Sequence, residues 1–180
     1  MLVEFKVPWE KYGTISYLAK AMECYNVQFG KTSLQKIIYI LQEIYDVKIG
    51  YSYTLYNYGP YSADLANDLE YIAALKGVKI SWVNSGGYRI RPDSAADAFI
   101  NKSMYFIESN KAKIDKALEI FGNLTAKELE LRATIIYFYK EYGEQDECEL
   151  TTKVHQLKPY FSIEKIGAAI AELRDQGAIK

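Results

Sequence analysis

The side chains of this sequence that are able to do chemistry are few and do not form a catalytic group. Its single histidine, His155, sits at a helical position between Val154 and Leu157. A histidine-based metal site or proton relay would need carboxylates alone as its partners, so a packed or surface histidine is expected. Asp64 and Asp68 are four residues apart on one helix and are spaced to share a cation. Ordinary exposed helix charge is the expected reading, and Asp64 suits the positive helix N-terminus. Cys24 and Cys148 match no metal or redox spacing and read as reduced thiols. No serine stands in a nucleophile elbow, and Gly86-Gly87 reads as a turn rather than a phosphate loop. The expectation is a protein that is not an enzyme and carries no cofactor or metal.

The chain has 180 residues, suiting one domain or two small ones. With 49% hydrophobic and 14% aromatic residues it has ample material for a core. A formal net charge of −1 supplies no bulk attraction to DNA, RNA or anionic lipid. The N-terminus MLVEFKVPWE lacks the apolar run and cleavage site of a signal peptide. The sequence has no stretch of about 20 apolar residues, the length that spans a membrane. A cytoplasmic location and no membrane partner are expected.

The elements that position these side chains centre on residues 30–61. Thr32 is placed to cap a helix, with Gln35 three residues on completing a capping box. Leu34, Ile37, Ile38, Leu41, Ile44 and Tyr45 then fall on one helical face. Behind Gly50, the positions Tyr51, Tyr53 and Leu55 alternate with Ser52, Thr54 and Tyr56 as in a strand. Gly59-Pro60 is expected to break that strand, and Ser62 to cap the next helix. Seven of the 17 tyrosines lie between Tyr39 and Tyr61. Tyrosine is a good half-buried strand residue, and its rigid amphipathic ring is also what binding hot spots favour. The two readings are compatible.

Elsewhere, Ile15, Leu18, Ala19 and Met22 mark a buried face behind Pro8, and Met1 to Val7 reads as an extended lead-in. A helix with Leu65, Leu69, Ile72 and Ala73 inward is expected to end on Gly77. Val78 to Trp82 and Tyr88 to Pro92 read as a β-hairpin around Asn84 to Gly87. Phe99 to Phe121 suggests one long helix, or two with a break near Ser109-Asn110. Thr125 with Glu128 is a capping box for a helix to about Tyr142. Five acids without a base between Glu141 and Glu149 read as a solvated loop. A short helix near Thr151 to Leu157 follows, then one capped by Ser162 and ending at Gly177.

The run Gly30-Lys31, then Leu34-Gln35-Lys36-Ile37-Ile38-Tyr39, followed by Tyr58-Gly59-Pro60-Tyr61-Ser62, resembles the YwgA-like proteins. More distantly it is similar to the Panacea and SocA group of antitoxin and proteolytic-adaptor domains. That group tends to carry Lys before Leu-Gln-Lys, where this chain has Ser33. The resemblance covers roughly residues 13–92. It implies a helical, winged-helix-like domain of cytoplasmic proteins, often acting through protein partners, and it implies no reaction.

The expected fold is mainly α with a small β-hairpin. A winged-helix-like N-terminal domain (1–92) packs with a helical domain (93–180) ending in a truncated helix-turn-helix-like unit, or the two form one compact domain. The favoured function is a regulatory binding protein, antitoxin- or adaptor-like, with Trp9, Lys36, Tyr56, Tyr58, Gly59, Pro60 and Tyr61 as partner-binding residues. A DNA-binding regulator is the alternative, although the two candidate reading helices are acidic: three acids against one base over 63–76, and three against two over 163–176. Only the 78–91 hairpin is basic, with Lys79, Arg89 and Arg91 placed for phosphates of duplex DNA. Charge that keeps a hairpin edge soluble explains the same residues. A small-ligand binder with a pocket lined by the Tyr51 to Tyr61 rings is a further alternative. The repeated units are compatible with a homodimer.

Overall fold

Pro8 has no N–H to lose at a helix start, and α1 (Trp9–Ala21) begins directly behind it. The computed structural model describes residues 7–84, 86–143 and 146–180. The expected lead-in Met1 to Val7 lies outside them except for Val7, as do Ser85 of the hairpin turn and Glu144 of the acidic run.

The chain is mainly α-helical with two small antiparallel hairpins. After a 3-10 turn (Met22–Cys24) come α2 (Lys31–Glu43), β1 (Thr54–Tyr56), β2 (Gly59–Tyr61) and α3 (Ala63–Ala74). The second hairpin, β3 (Val78–Trp82) and β4 (Tyr88–Pro92), follows. Then come α4 (Ala96–Lys102), α5 (Met104–Phe121), α6 (Ala126–Tyr142), α7 (Glu147–Leu157) and α8 (Ile163–Asp175). One contiguous core takes Ile15 and Leu18 from α1, Ile37, Ile38 and Leu41 from α2, Ile135 and Ile136 from α6, and Ile170 from α8. Side chains on both sides of residue 92 share it.

Several boundaries differ from those expected, each for a local reason. Helix α2 starts at Lys31 with Gly30 before it, and no side chain caps it. Thr32 is therefore inside the helix, and Gln35 is spent elsewhere. Tyr51 and Tyr53 lie outside the strand, which is only Thr54–Tyr56. Gly59-Pro60 does not end the sheet but forms its return strand, with Leu55 opposite Pro60. A two-stranded ribbon leaves free the side on which proline has no N–H to give. This short strand pairs with β2 and not with the β3–β4 hairpin, so the two hairpins are separate two-stranded sheets.

At the end of α3 the left-handed residue is Lys76 (φ 60°), not Gly77. Gly77 is required for another reason, since a Cβ there would meet Ile72 Cγ2 at 2.4 Å. The break in the fourth helical stretch falls at Ser103, whose hydroxyl donates back to Phe99 O (3.2 Å) and Ile100 O (3.1 Å). Ser109 and Asn110 make the same kind of bond, to Tyr105 O and Phe106 O, while α5 runs on unbroken. The acidic run is partly helical: Asp146 caps α7 through Glu149 N, and Glu147 and Glu149 lie in its first turn. Acids there meet the positive end of the helix dipole. The Ser62, Ser162 and Thr125–Glu128 caps are all formed.

Candidate partner-binding site

Hairpin β1–β2 turns at Asn57-Tyr58, and its tip is held from beneath. Gln35, 6% exposed, uses both ends of its amide on one residue: Nε2 donates to Ser62 O and Oε1 accepts from Ser62 N, both at 2.9 Å. One turn of backbone is thereby fixed in register with α2, and the Ser62 hydroxyl is left to cap α3. Next to it, Lys36 Nζ donates to Pro60 O at 2.7 Å. From the other side, Lys158 Nζ donates to Asn57 O and to Glu130 Oε1, the latter at 2.8 Å. The Tyr160 hydroxyl donates to the same Glu130 oxygen.

Two buried ammonium groups thus grip carbonyls on either side of Tyr58, and the buried Glu130 carboxylate pairs with one of them. Burial pushes the Lys36 ammonium down to about 8; Glu130 opposes that shift and Lys158 adds to it. Burial, then the hydrogen bond to Glu130, raises the Tyr160 hydroxyl. Gly59 closes the tip with φ 83°, and a Cβ on it would stand 2.7 Å from Thr134 Oγ1 of α6.

The sequence expectation placed Lys36 on the contact surface, but it is 2% exposed and supports that surface from below. Tyr56 and Tyr58 are 61% and 64% exposed, and the Tyr56 and Tyr61 ring centroids are 5.7 Å apart. Beside them, a groove of about 420 Å³ runs between α2, the hairpin and α3, with Leu34, Leu65 and Leu69 among its lining. Gly59 and Pro60 are buried and shape the turn. Trp9 is not among the residues lining the groove. Its ring packs on Tyr12 and Phe99, with the Lys102 ammonium 5.7 Å from its centroid.

The other side chains singled out in the sequence are dispersed. His155 Nδ1 is 2.9 Å from Phe161 O. Asp68 accepts a hydrogen bond from the Tyr51 hydroxyl at 2.9 Å. Burial and Asp68 raise the Tyr51 hydroxyl. Cys24 and Cys148 are both free and exposed. Among the described residues, no group of three or more His, Cys, Asp or Glu side chains stands together as a metal site. No helix among them is long and apolar enough to cross a membrane.

Neither the scanned family models nor the searched curated proteins contain a match to this chain.

The second candidate surface is hairpin β3–β4. Lys79 stands opposite Arg91, and Ser81 opposite Arg89, so the three cations share one face. Like charges directly opposite one another in a ribbon destabilise it.

Sequence reasoning found the tyrosines of the first hairpin and missed what holds them. Glu130 and Lys158 are 28 residues apart and both buried. Glu130 and Arg132 alternate with Leu129, Leu131 and Ala133 in the sequence, so no local signal marked Glu130 as the buried one.

Proposed function

We propose that this chain is a non-enzymatic regulatory protein, adaptor- or antitoxin-like, that binds a protein partner through the tip of hairpin β1–β2 and the adjoining groove. The observation that carries the reading is the exposure of Tyr56 and Tyr58 on a turn whose backbone is fixed from beneath by buried Gln35, Lys36 and Lys158. A rigid turn loses little entropy on binding, and exposed tyrosines beside an apolar groove are the usual anchors of an interface. The resemblance to the YwgA-like and, more distantly, the Panacea and SocA proteins supports the same reading, as it does a cytoplasmic location. The test is affinity capture of the tagged chain from its native lysate, beside the Tyr58→Ala/Tyr61→Ala variant. One nuclease-resistant protein at near-equal amount, lost in the folded variant, is expected. Equal capture by both forms overturns the assignment of this surface.

A second reading, duplex DNA binding by the β3–β4 hairpin, is favoured by one observation: three cations on one face of the ribbon with no acid between residues 77 and 92. Affinity falling steeply with salt, and abolished by Arg89→Glu/Arg91→Glu, is what it requires. A shallow salt dependence disposes of it.

A further inference from the structure

The chain has four arginines. Two are paired across helices, Arg132 with Glu172 and Arg174 with Glu147. The Arg89 and Arg91 guanidinium groups have no hydrogen bond or ion pair among the described residues, although Arg89 is half-buried. Two guanidinium groups present ten N–H donors, none of them used by an acceptor among the described residues, with Arg91 exposed and Arg89 partly so. They are also two residues apart on β4, so both leave the same side of the strand, about 7 Å apart along it.

Both residues border a cleft beside β4. Ile90 N donates to Phe29 O at 2.8 Å, tying β4 to the segment that follows the 3-10 turn. Between them lies a cavity of about 320 Å³, walled by Asn26 and Phe29 on one side and by Arg89 and Arg91 on the other. Met22 and Ala19 supply an apolar floor. Glu23 also borders it, yet is within ion-pairing distance of neither arginine, and the two cations outnumber it. Lys79, on the same face of the ribbon, is not part of the lining.

We infer that this cleft is a binding site for a small oxyanion of the phosphomonoester class, held between the Arg89 and Arg91 guanidinium groups. Guanidinium forks match phosphate oxygens in pairs, which a lysine cannot do, and two forks on alternate strand positions face one tetrahedral group from two sides. The concave wall distinguishes this from a ribbon laid on a nucleic-acid backbone, where Lys79 and the arginines would contribute alike. The site is separate from the tyrosine groove and does not depend on its role.

The experiment is an NMR titration of the full chain with phenyl phosphate at constant ionic strength, following the amides of Asn26, Phe29 and Ile90. Saturable shifts at those amides are expected, with affinity at least roughly tenfold lower in Arg89→Gln/Arg91→Gln. Arg89→Lys/Arg91→Lys, which keeps the charge and loses the forks, should bind nearly as poorly, while Lys79→Gln should match the parent. Unchanged thermal unfolding in the glutamine variant shows that the site alone was removed. The inference is overturned by non-saturable shifts, by full affinity in the lysine variant, or by an equal loss in Lys79→Gln. Tighter binding of a duplex that displaces phenyl phosphate and depends equally on Lys79 likewise overturns it in favour of nucleic acid.

Discussion

Lys36 Nζ lies 2.7 Å from the carbonyl oxygen of Pro60, beneath the turn that exposes Tyr58. A charge is thereby buried in order to fix a backbone, and the stability of the fold becomes sensitive to pH. The native ammonium releases its proton near pH 8, whereas in the unfolded chain it does so near the ordinary 10.5. Between those values the unfolded chain binds more protons, so stability rises with pH, at up to about 1.4 kcal/mol per pH unit. Above the ordinary tyrosine value of 10.0 the buried Tyr39, Tyr51 and Tyr53, whose native hydroxyls are raised, act in the opposite sense. Urea unfolding between pH 7.5 and 9.5 should show the rise in the parent chain and not in Lys36→Met. A parent chain with no rise contradicts the burial of the charge.

Glu130 and Lys158 form an ion pair with side chains 6% and 2% exposed. Glu130→Leu leaves the Lys158 ammonium buried without a counter-charge, and a loss of about 3–5 kcal/mol is expected in chemical denaturation. Adding Lys158→Met should recover most of that loss, because the pair as a whole contributes little against an apolar replacement. Additive losses in the double variant would mean that the two side chains act separately.

Gly59→Ala meets two obstacles at once, a φ of 83° and Thr134 Oγ1 at 2.7 Å from the added carbon. Destabilisation of about 1–3 kcal/mol is expected. Gly59→Ala/Thr134→Ala should regain only the steric part. In capture experiments the single variant should lose partner in proportion to the disturbance of the Tyr58 turn, while remaining folded by circular dichroism.

Gln35→Ala removes both hydrogen bonds to the Ser62 backbone, leaving a buried N–H and C=O without that partner. A loss of about 1–3 kcal/mol is expected. Hydrogen exchange at Ser62 and at the first turn of α3 should accelerate more than in α8, which lies elsewhere in the sequence and has its own Ser162 cap.

Features with short-range causes were legible in the sequence. The apolar face of Ile37, Ile38 and Leu41, the Thr125–Glu128 box and the Val78–Pro92 hairpin each follow from residues within one or two turns of each other. Pairing across distance was not. Whether Leu55 would pair with Pro60 or with the wing depends on what packs below, and the anchors there come from α2, α6 and the segment after α7. Gln35 looked like half of a capping box because its spacing from Thr32 is correct for one; tertiary contact with Ser62 won. Lys36 read as a surface contact because lysine is seldom buried, and its aliphatic stem beneath Gly59 left no mark on the local pattern.

The two lysines that grip the turn enter the chain far apart. Asn57 is bound by Lys158, 101 residues downstream, whereas Pro60 is bound by Lys36, 24 residues upstream. Emerging from the ribosome, the tyrosine tip has its first anchor early and waits for most of the remaining chain before it gains the second. A nascent or prematurely ended product shorter than 158 residues carries every tyrosine of the hairpin yet lacks the second anchor of the turn that displays them. Under the reading proposed above, display of the tyrosines to a partner depends on a residue that is made 101 positions after Asn57 of their turn.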